Sequence, residues 1–166
     1  NVGLDFGGAL VCYNGLLDIQ GSTVAGNIAN YGSALNIRES AIIIKNSIFW
    51  ANGENSFYSA AGNESSMVTI EYSNFYGGEE YLSLSSSLIL NWGFGNFNSD
   101  PMFCGPGQGD FTLQENSFCL TASDSSGLIG AFEETCIEQL NIHKSDLPQN
   151  FSLFQNYPNP FNPITT

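Results

Sequence analysis

Ile19-Gln20-Gly21-Ser22-Thr23-Val24-Ala25-Gly26-Asn27 returns 25 residues later as Ile44-Lys45-Asn46-Ser47-Ile48-Phe49-Trp50-Ala51-Asn52. It returns after a further 26 residues as Ile70-Glu71-Tyr72-Ser73-Asn74-Phe75-Tyr76-Gly77-Gly78. Upstream of each copy is a second match: Gly8-Ala9-Leu10, Ser33-Ala34-Leu35 and Ser59-Ala60-Ala61. On this alignment the extra residue of the second step falls between Asn52 and Ser59, in a polar Gly/Asn/Ser stretch. A fixed period in this range is the mark of stacked repeats, in which insertions map to loops.

Within one copy, Leu17 to Ile19 is a step of two, which puts both side chains on one face of a strand. Ser22 to Val24 is another such step, but Ile19 to Ser22 is a step of three, so the alternation slips at a bend. The β-branched and aromatic content suits strands, and no helical spacing is present. Gly and Asn stand where corners need unusual backbone angles. Stacked at about 4.8 Å per layer, such copies predict a right-handed parallel β-helix, an all-β solenoid with its core inside. Positions 24, 49 and 75 become an internal Val/Phe/Phe column, positions 22, 47 and 73 a serine column, and Asn27 and Asn52 a corner pair. An antiparallel sandwich also shows short strands between turns, but does not require equivalent residues at a constant interval.

The 166 residues leave room for one β-domain and a tail. Three basic side chains (Arg38, Lys45 and Lys144) against 16 acidic ones give a net charge of -13. That balance argues against nucleic acid and against an anionic membrane surface, both of which need Lys and Arg. An anionic polysaccharide would need a bridging cation such as calcium. No apolar run reaches the ~18 residues of a membrane-spanning helix. The chain starts within the first repeat, so further N-terminal coils and an export signal are expected upstream. Among the cysteines, Cys104, Cys119 and Cys136 lie in a Gly/Ser/Asn-rich region, where at least one disulfide is expected. Cys12 reads as a reduced, packed side chain.

Beyond Gly78 the repeat degenerates, although Leu82-Ser83-Leu84 and Leu88-Ile89-Leu90 remain apolar; an irregular C-terminal cap is expected. Then come Gly95-Asn96-Phe97-Asn98-Ser99-Asp100-Pro101-Met102-Phe103, Gly109-Asp110-Phe111-Thr112-Leu113, Asn116-Ser117-Phe118-Cys119 and Leu128-Ile129-Gly130-Ala131-Phe132. As an ordered set these resemble the closing segment of secreted right-handed β-helix proteins of the pectate-lyase-like superfamily. The resemblance covers roughly residues 1–136, with Phe118 in place of the usual Pro and Ser126 where many relatives carry Cys. Residues 137–147 read as a polar linker holding the single histidine, His143. The tail, 148–166, contains Phe151, Leu153, Gln155, Asn156, Tyr157, Pro158, Asn159, Pro160, Phe161, Asn162 and Pro163 in the order F-x-L-x-Q-N-Y-P-N-P-F-N-P. This closely resembles the opening of the C-terminal sorting domain of type IX secretion substrates. The resemblance implies export by that machinery to the medium or outer-membrane surface of a Gram-negative bacterium, and an extended tail here.

No catalytic set can be assembled from the residues. Arg38, beside Glu39, reads as a turn ion pair, and Lys45 and Glu71 as stacked partners on adjacent coils. One His outside the repeats leaves no Ser/His/Asp arrangement. Glu54, Glu64, Glu79 and Glu80 flank the third coil, where a glycosidase would need facing carboxylates. Asp100 and Asp110 are calcium candidates, but Asp before Pro and Gly before Asp are ordinary turn chemistry. Trp50, Tyr72 and Tyr76 could stack on sugar rings. The expectation is therefore a secreted or surface-attached protein that binds glycan or another surface ligand, non-catalytic in this stretch. A carbohydrate-active enzyme, such as a polysaccharide lyase acting through upstream coils, is the alternative, and a structural stalk the third reading.

Overall fold

The computed structural model describes residues 1–3, 5–53, 55–59, 65–82, 87–134 and 136. Its strands are β1 (Leu10–Tyr13), β2 (Leu16–Gln20), β3 (Thr23–Ala25), β4 (Leu35–Arg38), β5 (Ala41–Lys45), β6 (Ile48–Trp50), β7 (Phe57–Ser59), β8 (Ser66–Glu71), β9 (Asn74–Phe75), β10 (Leu88–Trp92), β11 (Phe103–Gly105) and β12 (Asp110–Leu113). No α-helix occurs among the described residues; single 3-10 turns follow β9, join β11 to β12, and span Phe118–Leu120. The chain is all-β and mostly parallel, in an arrangement compatible with a β-helix-like solenoid.

Each pass of the chain gives one strand to each of three parallel sheets. Sheet one is β1-β4-β7, sheet two is β2-β5-β8-β10, and sheet three is β3-β6-β9. Register follows the sequence period: Ile19 pairs with Ile44 and Ile44 with Ile70, Val24 with Phe49 and Phe49 with Phe75. Inward side chains of all three sheets share one core that includes Leu35, Ile37, Phe57, Ile42, Ile44, Val68, Ile70, Phe49 and Phe75. The Phe49 and Phe75 rings stack at 4.8 Å and both meet Phe57 edge-on at 5.6 Å.

The corners explain why polar residues recur. Between sheets two and three the chain turns on a left-handed residue in every pass: Gly21, Asn46, Tyr72 and Gly95, with φ of 53°, 51°, 48° and 73°. The next N–H cannot reach a ladder carbonyl, so a side-chain oxygen of the following pass accepts it. Ser22 N–H donates to Ser47 Oγ at 3.1 Å, Ser47 N–H to Ser73 Oγ at 3.1 Å, and Ser73 N–H to Asn96 Oδ1 at 3.0 Å. Each hydroxyl then donates to a carbonyl two residues back in its own pass. Gly15, Ser40 and Ser66 repeat the device between sheets one and two. After sheet three, the N–H and Nδ2 of Asn27 both donate to Asn52 Oδ1.

Two expectations are corrected. Ser59-Ala60-Ala61 is not the counterpart of Ser33-Ala34-Leu35: Leu35 pairs with Phe57, and Ser59 with Ile37. From Leu35 to Phe57 is 22 residues (57 − 35), while Ile42 to Val68 is 26 (68 − 42). The link before β7 is thus shortened, and the extra length falls between β7 and β8. The repeat also continues past Gly78, because β10 pairs in parallel with β8, Ile70 facing Trp92. Asn96 there takes the serine position, its carboxamide replacing the hydroxyl as acceptor.

The closing segment lies along the outer face of sheet three. The antiparallel β11–β12 hairpin and the residues after it enclose a second core of Ile48, Phe103, Leu113, Cys119 and Ile129. Asn74 anchors it by exchanging hydrogen bonds with Ser99, and farther on Gly130 N–H donates to Asn46 O and Ala131 N–H to Thr23 Oγ1. Cys104 is bonded to Cys136, while Cys12 and Cys119 are free. Closing that 32-residue separation stabilises by about 3.7 kcal/mol in the chain-entropy model. Residues 137–166, with the linker and the tail motif, lie outside the described residues.

Two substitutions separate the core from the corner. Phe49→Ala is expected to destabilise by about 3–5 kcal/mol through an unfilled cavity. Ser47→Ala, which removes only one oxygen, is expected to cost about 1–3 kcal/mol because Ser22 N–H loses its acceptor. Urea unfolding of both variants measures this; a silent Ser47→Ala would show that the corner bond contributes nothing.

Candidate functional surface

The three outer faces differ in what they leave open. Sheet three is covered by the closing segment. Sheet two shows a mixed surface, with Leu16, Ile43, Met67 and Ile89 exposed between Asp18, Thr69 and Asn91. Sheet one carries aromatic side chains. On its outer side Val11, Asn36 and Tyr58 form one cross-strand row, and Tyr13 and Arg38 a second. Phe6 and Tyr31 precede β1 and β4, joined by a parallel bridge. The Phe6 and Tyr31 rings lie 5.3 Å apart, and Tyr31 and Tyr58 4.8 Å. Phe6, Tyr13 and Tyr31 remain 53%, 51% and 44% exposed.

Asn36 sits beneath this cluster, fully buried although it faces outward. The chain at Gly32 folds over it in a left-handed turn (φ 68°); a Cβ there would lie 2.7 Å from Leu35 O and 2.9 Å from the Asn36 Cα. Only glycine fits that approach. Tyr13 Oη donates to Asn36 Oδ1 at 3.3 Å, and Asn36 Nδ2 has no hydrogen-bond partner.

Of the three aromatics singled out in the sequence, the structure brings two together. Trp50 and Tyr76 occupy equivalent positions at the end of sheet three, with rings edge-to-face at 5.1 Å, and Tyr81 extends the group at 5.4 Å from Tyr76. Trp50 also packs on the second core, whereas Tyr76 is 46% exposed. Tyr72 stands at the preceding corner, its ring 5.8 Å from Lys45 Nζ. Phe6, Tyr13, Tyr31, Tyr58 and Asn36 were not singled out. Phe6 and Tyr31 lie one 25-residue period apart, a readable signal, but Tyr58 is in register with Asn36 and not with Tyr31, so it falls off that period.

Four of the ionisable side chains, Lys45, Asp124, Asp100 and Asp110, hold turns or the closing segment in place. Lys45 does not bond Glu71, its register partner; Asp124 of the closing segment takes it at 2.8 Å. That segment also places the Asp124 carboxylate on Asn46 Nδ2, and Asp124 N–H on Asn46 Oδ1. The Lys45 ammonium, then Asn46, hold the Asp124 carboxyl below 3.8, and Asp124 raises Lys45 above 10.5. Asp100 Oδ1 accepts from Met102 N–H, and Asp110 Oδ1 from the N–H and hydroxyl of Thr112. The two Thr112 bonds, hydroxyl first, lower the Asp110 carboxyl. Both carboxylates are thus turn acceptors, and no three metal-ligating side chains cluster among the described residues. Arg38 is exposed beside Glu39, itself a left-handed corner residue (φ 49°). Glu79 and Glu80 lie exposed on a 3-10 turn, while Glu54 and Glu64 are outside the described residues.

A cleft of about 1070 Å³ between the first pass and the β11–β12 hairpin is walled by Leu10, Leu17, Val24, Phe103 and Phe111. Leu17 and Val24 occupy positions that the next passes fill with buried Ile42 and Phe49, so this cleft is an open end of the core. No helix among the described residues is long and apolar enough to cross a membrane. Compared with protein families, curated proteins and solved structures, the chain finds no match in any of the three.

The Lys45–Asp124 clasp should respond to pH at both ends. Asp124 has a depressed folded pKa, so its stabilisation is present above 3.8 and lost as pH falls through the folded value. Lys45 has a raised folded pKa, so its share is present below 10.5 and lost as pH rises through its folded value. The stability difference between wild type and Asp124→Asn is expected to be flat from about pH 5 to 9 and to shrink below about pH 4. Thermal unfolding across that series is the check; a difference that persists unchanged in acid would exclude the clasp.

Proposed function

We propose that this chain is part of an exported right-handed parallel β-helix protein that binds glycan on a cell or matrix surface, without catalysis in this stretch. The observation that carries the reading is the pair of partly exposed aromatic clusters, Phe6-Tyr31-Tyr58 and Trp50-Tyr76-Tyr81, in or beside the links that lead from sheet three to sheet one. Aromatic rings offer sugars apolar C–H contact at low entropic cost, and the acidic net charge favours a neutral ligand over a polyanion. The constant parallel register supports the helical winding, and the closing motifs at 95–132 fit the family resemblance. The tail at 151–163 supports type IX export to the outer surface or medium, with the secretion machinery as a partner. Calcium has no role in this reading.

Native gels cast with galactomannan, xyloglucan or mixed-linkage β-glucan test the binding. At least one is expected to retard the chain, with the retardation reduced in Phe6→Ala or Tyr76→Ala; equal mobility in all three would sink the proposal. For the tail, removing residues 147–166 with the rest of the C-terminal domain from the full-length protein should leave the product in the periplasm. Normal surface delivery of that form would rule out the sorting role.

A further inference from the structure

Asn36 is the one buried side chain among the described residues with a polar atom lacking a hydrogen-bond partner. It is also the only outward-facing member of β4 that is buried, Arg38 being exposed. Its row neighbours are Val11, which has no acceptor on its side chain, and Tyr58, whose hydroxyl does not accept from Nδ2. Its Oδ1 is held by Tyr13, a ring half in solvent, across a long bond of 3.3 Å. A buried amide N–H without an acceptor is unfavourable, and that penalty disappears when a ligand supplies one. Tyr13 is the exposed side of the site, and among the contacts described its hydroxyl bond alone ties it to Asn36.

We propose that the outer face of sheet one is a site for a neutral saccharide, with the Asn36 carboxamide reading a vicinal diol. This rests on the glycan reading above and names the site and the group recognised. Binding requires the Tyr13 ring to turn outward and uncover the buried carboxamide; one sugar hydroxyl then accepts from Asn36 Nδ2, and its neighbour donates to Oδ1 in place of the Tyr13 hydroxyl. A carboxamide offers this donor and acceptor side by side, the pattern that two adjacent hydroxyls complement. Phe6, Tyr31 and Tyr58 border the position and meet the sugar's C–H face or edge. Arg38, in the same row as Tyr13, supplies exposed donors for a further hydroxyl.

The site makes opposite predictions for two variants of the full chain, measured by retardation in the three neutral polysaccharide gels. Asn36→Leu keeps the volume and removes the unpaired amide, so its melting temperature should hold or rise while affinity falls about ten- to hundred-fold, because both sugar hydrogen bonds are lost. Tyr13→Phe removes the competitor for Oδ1, so affinity should rise about three-fold with the ring retained. A purely structural Asn36 predicts no change in retardation for either variant, and that result overturns the proposal. If Asn36→Leu misfolds, Tyr13→Phe decides alone: unchanged or weaker binding overturns it. If Tyr76→Ala abolishes binding while both sheet-one variants behave as wild type, the glycan reading stands and this site falls. If no gel retards wild type, both fall.

Discussion

Everything in the stack depends on how a parallel strand turns a corner without losing a hydrogen bond. A left-handed residue reverses the local direction in one step, but it swings the following N–H away from the carbonyl ladder. In a buried position that donor would cost as much as a good bond gains. The serines at 47 and 73 resolve the problem by reaching between layers, and because each accepts from the pass before it, they also set the vertical register. The residue before each serine must tolerate positive φ. Asn46 and Gly21 do so readily; Tyr72 does so at a local energetic cost, which its neighbours' packing offsets.

This constraint is why so much of the fold was legible. Equivalent corners write equivalent residues, so the period in Ile19, Ile44 and Ile70 appears directly as strand pairing, and that in Ser22, Ser47 and Ser73 as a ladder of corner hydrogen bonds. What escaped reading was whatever satisfied the same requirement with different chemistry. Asn96 accepts the Ser73 N–H in place of a serine, so the serine and phenylalanine columns end in the sequence one pass before the stack does. Phe57 supplies core volume from sheet one while Ala60 and Ala61 merely look like the repeat; ring contacts with Phe49 and Phe75 decide the register there. Asp124 was invisible because its partner, Lys45, is 79 residues away (124 − 45) and joined through a segment with no period of its own.

The surface was less legible than the core, for a related reason. Inward positions are held to one chemistry by burial, whereas outward positions answer to whatever covers them. Trp50 reads as an open ring in the sequence, yet the returning segment encloses Ile48 in a second core and leaves Trp50 half-buried against it. Among the described residues, no returning segment covers sheet one. Its aromatic side chains are gathered by the links that approach it, with Gly32 allowing the chain to press onto Asn36.

Buried polar side chains in this molecule otherwise follow a strict economy. Ser47, Ser73 and Asn74 are each fully buried and each both donates and accepts; Asn74 uses both ends of its carboxamide on Ser99. Asn36 is as deeply buried as these but uses only its oxygen, and that on a half-exposed tyrosine. A packing role would be met by Leu or Val without the cost of desolvating an amide. The corner serines cannot be replaced that way, because the backbone needs their oxygens. The contrast separates polar groups demanded by the fold from one that the fold does not require. It is the latter kind, placed among exposed rings on an uncovered sheet, that directs attention to ligand recognition.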